Sequence, residues 1–185
     1  MKRNTKQLLP MILTFTIIAA AYSCRILAML DIGGAWMSYI RAALYLLLFA
    51  LWGFSLDRRI IQTQALHCLR LTAALMLLWL ILRTLKYEFV TDLTVARYIW
   101  YLYYLPMLFI PLLGVYIALS LGKSEKFRLT GKIGALAIIP AVLFLLVITN
   151  DLHQQVFAFD SGVPGVPDNY GYSHGIFYFC SMAWM

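Results

Sequence analysis

Apolar residues in this chain fall into long unbroken blocks, and the polar residues collect in the short stretches between them. The blocks run from about Leu8 to Leu30, Ser38 to Leu56, Leu66 to Leu85, Tyr98 to Leu121 and Lys132 to Thr149. Roughly 20 apolar residues cross a bilayer as helix, and in lipid a helix satisfies its own backbone polar groups. A membrane barrel would instead alternate apolar and polar residues over segments of about ten. The pattern therefore predicts an all-α polytopic membrane protein with five complete transmembrane helices and, from Gly175, the start of a sixth. Residues 1–7 form a polar N-terminus, 8–149 the five-helix membrane region, 150–174 a loop and 175–185 the opening of the sixth span. Eleven residues do not cross a bilayer, so the reading expects an N-terminal fragment of a longer protein. Within the loop, Val156-Phe157-Ala158-Phe159-Asp160 and Tyr170-Gly171-Tyr172-Ser173 flank the turn-rich stretch Ser161 to Asn169. Two short aromatic segments about Gly and Pro predict a short β-hairpin, which needs the helix ends for support.

Composition strengthens the membrane reading. The chain is 63% hydrophobic and 12% charged, against about 25% charged residues in a soluble domain. The net charge of +7 would suggest nucleic acid in a soluble protein. Here the basic residues flank the apolar blocks, which makes the lipid bilayer the expected partner and excludes nucleic acid. Nine Lys and Arg fall on one side of the expected topology, at the N-terminus and at Arg58, Arg59, Lys123, Lys126, Arg128 and Lys132. Two, Lys86 and Arg97, fall on the other. The positive-inside rule puts the N-terminus in the cytoplasm and the 150–174 loop outside a bacterial inner membrane. Lys2, Arg3 and Lys6 ahead of an apolar run, with Ala19-Ala20-Ala21 after it, resemble a signal peptide. The run continues to Leu30, which favours an uncleaved first helix. Cys24, Cys68 and Cys180 have no metal or redox spacing and read as small apolar packing residues.

Few residues offer chemistry. Trp100, Tyr101, Tyr103 and Tyr104 crowd the outer end of the fourth span, ahead of Pro106 and Pro111. Each proline removes a backbone donor, so the helix should bend there. A bent aromatic helix can open a pocket or can simply be packed. Thr149 to Gln155 gathers Asn150, Asp151 and His153 at the outer end of the fifth span, as a polar site or as an ordinary helix end. Arg25 and Arg41 read as snorkelling anchors, or as a cationic outer vestibule with Arg83 and Arg97. Asp151, His153, Asp160, Asp168 and His174 match no metal motif, and no cofactor is expected. No HExxH, GxSxG or paired in-span carboxylates occur, so the chain is not expected to be an enzyme.

The aromatic, proline-containing span Tyr98 to Leu121, the basic connection Gly122 to Lys132 and the motif Thr149-Asn150-Asp151-Leu152-His153 resemble the N-terminal seven-helix membrane region of bacterial sensor histidine kinases. The resemblance runs from about Trp100 to Phe159 and more weakly back to the second span, with the first span an addition. It implies a sensory input region that receives an external or membrane-borne cue or an unidentified small ligand. The output would be a histidine kinase beyond residue 185, where a homodimer could also form. The expected ligand site is an outer cup of Trp100, Tyr101, Tyr104, Asn150, Asp151 and His153 under the Phe157–Tyr172 flap. The alternative function is a transporter or channel subunit, and a third reading is an assembly partner without ligand.

Overall fold

The computed structural model describes residues 2–30, 32–34, 36–56, 62–123, 131–159 and 172–185, without the side chains of 2–10 and 132. Asp31, Asp57 to Arg59, Lys126, Arg128, Asp160 and the turn Ser161 to Asn169 lie outside the described residues.

The chain divides into two compact units, Met1–Ser55 and Leu56–Met185. The first holds α1, Lys2–Met29, and most of α2, Trp36–Leu56. Between them Gly33 and Gly34 take φ of 89° and 55°, a left-handed conformation open to glycine at little cost. Both helices expose large apolar side chains along their length, among them Phe15, Tyr22, Trp36 and Phe54. Such a helix is stable where lipid covers it.

The second unit starts with α3, Thr63–Glu88, which packs along α5, Tyr104–Ser120. Ahead of α5 stands α4, Leu93–Leu102. Asp92 caps α4, its carboxylate accepting from the Thr94 and Val95 amides at 2.7 and 3.1 Å. This cap starts the helix one and a half turns before the expected Tyr98, because it satisfies donors that a helix start leaves orphaned. The two helices meet at Tyr103, three residues before Pro106, where the bond tightens to Tyr103 N to Trp100 O. The expected bend therefore falls just upstream of the prolines, and α5 continues through Pro111. Next come α6, Gly131–Gly134, a 3-10 turn at Ala135–Ala137 and α7, Ile138–Ile148. Pro140 removes the amide that would bond the Leu136 carbonyl, and the tightened turn lies there. A one-turn α8, Asn150–His153, leads into β1, Phe157–Phe159, which pairs antiparallel with β2, Tyr172–His174. The last helix is α9, Ile176–Trp184.

The expected hairpin is present, in the register Phe157 to His174, Ala158 to Ser173 and Phe159 to Tyr172. The expected span count is corrected. Among the described residues four helices are long and apolar enough to cross a membrane: Met11–Met29, Trp36–Leu56, Thr63–Glu88 and Leu93–Ser120. In place of a fifth full span there is the shorter apolar helix Ala135–Ile148, about 21 Å long at 1.5 Å per residue. The glycines and the proline-tightened turn ahead of α7 are what interrupt it. The fold is an all-α, multi-spanning bundle with one small hairpin.

Side-chain contacts fix which ends of the second unit lie together. Gln62 Nε2 donates to the Ser120 carbonyl at 2.6 Å, joining the start of α3 to the end of α5. The Tyr116 hydroxyl donates toward the Ile133 and Gly134 carbonyls at 3.2 and 3.1 Å. At the opposite end Arg97 of α4 meets Asp151 of α8. The helices thus run alternately up and down, with the hairpin at the α4 end.

Candidate functional site

The site begins with the way α7 stops. Thr149 interrupts the helix, its hydroxyl donating back to the Leu145 carbonyl at 2.7 Å. One further turn follows. Gln154 then takes φ 50° and ψ 31°, its amide donating to the Asn150 carbonyl at 2.7 Å. It is the one non-glycine residue with positive φ among those described. A left-handed residue at this position reverses the chain, and the reversal carries Gln155 to Phe159 back over the turn it has just left.

Asn150 lies at the inside of that reversal and is fully buried. Its Oδ1 accepts from the Val156 and Phe157 amides, each at 3.0 Å. Its Nδ2 donates to the Phe157 carbonyl at 2.8 Å and to the Tyr101 hydroxyl at 3.3 Å. A primary amide has two donors and two acceptor lone pairs, and all four are used here. Backbone groups in a strand alternate sides, and those of Phe157 point away from β2. The Asn150 amide meets them as a third strand would. The side chain is a staple that holds β1 to the end of the bundle.

Asp151 faces the other way, toward α4. Its Oδ2 lies 3.1 Å from Arg97 Nη2, and its Oδ1 accepts from the Tyr101 hydroxyl at 2.8 Å. Tyr101, also fully buried, therefore accepts from Asn150 and donates to Asp151. The Arg97 guanidinium lies 5.3 Å from the Phe159 ring and 6.0 Å from that of Tyr98. Its Nε is buried with no acceptor among the described residues.

His153 does not join the cup. Its Nδ1 accepts from the Gln155 amide at 3.0 Å, and its Nε2 lies 3.1 Å from the Leu146 carbonyl. An amide can only donate and a carbonyl can only accept, so this geometry puts the proton on Nε2. The ring ties the chain reversal to the last turn of α7.

The cup itself is filled by Phe157, which has no exposed surface. Its ring centroid lies 4.4 Å from Trp100, 5.8 Å from Tyr104 and 5.7 Å from both Tyr172 and Tyr178. It stacks on Tyr101 at 6.3 Å and 9°. Burying a Phe side chain contributes about 1.5–3 kcal/mol, and each well-oriented ring pair adds about 0.5–1.5 kcal/mol. The structure thus brings Trp100, Tyr101, Tyr104, Asn150 and Asp151 together: the first four hold Phe157, and Asp151 holds Tyr101.

Sequence reasoning missed the roles of Phe157, Gln154 and Gly175. The Gly175 amide donates to the Val156 carbonyl at 2.9 Å, and a Cβ there would run into the Gln155 carbonyl. A lone glycine before an apolar helix start is the signal that was available. Among the described residues no three His, Cys, Asp or Glu side chains come together as metal ligands.

The described residues thus form a multi-spanning helical bundle, with a small hairpin stapled to an aromatic seat. Residues 37–185 match the family described as the N-terminal 7TM region of histidine kinase, and the chain belongs to that family. It is the sensory input region of a histidine-kinase-type signal-transduction protein of the bacterial membrane, and this region is non-catalytic. Membership selects the sensory reading over the transporter or channel subunit. The match begins one residue into α2 and leaves α1 outside it. No curated protein and no solved structure matches the chain.

Proposed function

We propose that this input region reads its cue at the hairpin, through whether β1 is seated on α4 and α8. The observation that carries the reading is the Asn150 amide, which spends all four of its hydrogen bonds on Val156, Phe157 and Tyr101. In this reading Trp100, Tyr101, Tyr104 and Asp151 are the seat that an external or membrane-borne cue reaches when the hairpin lifts. Asn150 and His153 hold the seated state. The hairpin end faces outside and the N-terminus lies in the cytoplasm, as the distribution of Lys and Arg supports. The α6–α7 segment, Gly131–Ile148, is then a further crossing. With its 3-10 turn it measures roughly 28 Å, close to the hydrocarbon thickness of about 30 Å.

A cue shifts such a region only if it prefers one of two states. The test therefore reads basal output and needs no identified cue. Full-length protein in membranes carrying Asn150→Ala or Phe157→Ala should show altered autophosphorylation at unchanged membrane abundance, with His153→Ala shifting in the same direction by less. Wild-type output from both Asn150→Ala and Phe157→Ala would refute the reading.

A further inference from the structure

A second feature of the bundle lies away from the hairpin and is independent of the function just proposed. Between α3 and α5 runs an apolar groove of about 340 Å³, within the range of about 300–1,000 Å³ that small-molecule sites occupy. Met76 and Trp79 form one wall, the turn from Pro106 to Pro111 forms the other, and Met185 stands at one edge. Pro106 and Pro111 both line it, and α5 runs on as helix through Pro111.

The groove has a charged rim. Arg83, one turn beyond Trp79 on α3, places its guanidinium carbon 5.6 Å from the Trp79 ring. Arg83 is exposed and has no carboxylate partner among the described residues. The Trp79 ring also meets Tyr103 at 6.4 Å, and the Lys86 ammonium lies 5.9 Å from that same Tyr103 ring.

Depth decides what reaches this place. The start of α3 is tied to the end of α5 at Gln62 and Ser120. Arg83 stands about 30 Å along the helix from Thr63 at 1.5 Å per residue, which is the thickness of the hydrocarbon core. With Thr63 taken as one edge of the hydrocarbon, Arg83 comes to the headgroup level of the leaflet on the hairpin side. Trp79 sits just beneath it, where interfacial Trp residues collect, and the groove continues into the acyl region of the same leaflet.

From this charge complementarity we infer that the groove is a site for an anionic phospholipid, with the phosphate on Arg83 and one acyl chain laid past Trp79 along Met76, Met107 and Ile110. A cation near a membrane surface favours anionic headgroups by roughly five-fold. A chain in this groove lies against α5 from Pro106 to Pro111, about one turn past the bend at Tyr103.

Full-length protein in nanodiscs, with trace phosphatidylglycerol or phosphatidylcholine bearing a mid-chain diazirine, tests this by mass-spectrometric mapping of photoadducts. Phosphatidylglycerol should label the peptides carrying Met76–Trp79 and Met107–Pro111, roughly five-fold more than phosphatidylcholine does. Arg83→Gln, an exposed position, should keep the label and remove the preference. Met107→Trp should fill the groove and abolish the label. Equal labelling of the wild type by both lipids overturns the inference. So does a groove that neither probe labels, whether a second copy or another segment covers it.

Discussion

Replacing Asn150 by Ala removes one side chain and orphans a defined set of groups. The Val156 and Phe157 amides lose their acceptor, and both residues are fully buried. The Phe157 carbonyl and the Tyr101 hydroxyl lose a donor. Each buried amide left unpaired costs about 1–3 kcal/mol. Water entering the vacated space recovers part of that, which leaves about 2–4 kcal/mol against the seating of β1. At about 1.4 kcal/mol per tenfold, the Val156 and Phe157 amides should exchange roughly 30- to 1,000-fold faster. Hydrogen exchange on the protein in nanodiscs reads this directly, and Trp100 fluorescence reports the loss of its neighbour Phe157. Exchange in α3 and α5 should stay as in the wild type, since the loss is local. Asn150→Asp keeps both acceptors but loses both donors, and it sets a carboxylate against the Phe157 carbonyl and beside Asp151. It should fail as fully as Ala does. Wild-type exchange at Val156 and Phe157 in the Ala variant refutes the staple, as does a loss spread evenly over the whole bundle.

Other substitutions bear on the same end of the fold. Gly175→Ala drives a methyl group into the Gln155 carbonyl; it should separate β1 from the start of α9 and lower the melting temperature, with Gly175 and Phe177 amide exchange rising first. Gln154→Gly relieves a left-handed residue and should stabilise by roughly 0.5–1 kcal/mol, read as a rise of a few degrees in melting temperature. In a double-mutant cycle, Arg97→Gln and Asp151→Asn should couple by only about 0.5–1 kcal/mol, because both side chains are about one-fifth exposed and solvent screens the pair. Coupling above about 3 kcal/mol would mean a drier site than this.

The helical blocks were legible because lipid imposes one rule on every spanning segment, and apolar length reveals it. The hairpin was legible from Phe157, Phe159 and Tyr172 set about Gly and Pro. Helix boundaries were less so: Arg97 looked like an end of the fourth span, yet Asp92 caps the helix before it. Grouping Trp100, Tyr101, Tyr104, Asn150 and Asp151 was within reach, since aromatics and polar groups at one end of neighbouring helices must meet. Their partners were not. Whether Asn150 binds a ligand or a backbone depends on where the chain goes after Gln154, and Gln carries no mark of a left-handed conformation. His153 misled for a related reason. An imidazole beside Asp151 suggests a site, and only the fold shows both its nitrogens spent on backbone, at Gln155 and Leu146.

The hairpin is also joined to the last helix. The Gly175 amide bonds the Val156 carbonyl at 2.9 Å, and the Phe177 amide reaches the Gln155 carbonyl at 3.4 Å. Farther along α9, Trp184 Nε1 donates to the Leu108 carbonyl at 2.9 Å, in the stretch of α5 between Pro106 and Pro111. The segment from Gln155 to Phe159 is therefore fastened to α4 and α8 on one side and to the start of α9 on the other, and α9 is fastened to α5 between its two prolines. In the proposed mechanism β1 cannot lift from its seat without pulling on the start of α9 or breaking two backbone bonds. The energies match such a device. Moving a two-state equilibrium from 1:99 to 99:1 takes about 5.5 kcal/mol of differential binding. The Asn150 contacts, at about 2–4 kcal/mol, and the burial of Phe157, at about 1.5–3 kcal/mol, together lie on that scale. A far weaker seat would leave the hairpin lifted without a cue, and a far stronger one would put the switch beyond what a cue could supply.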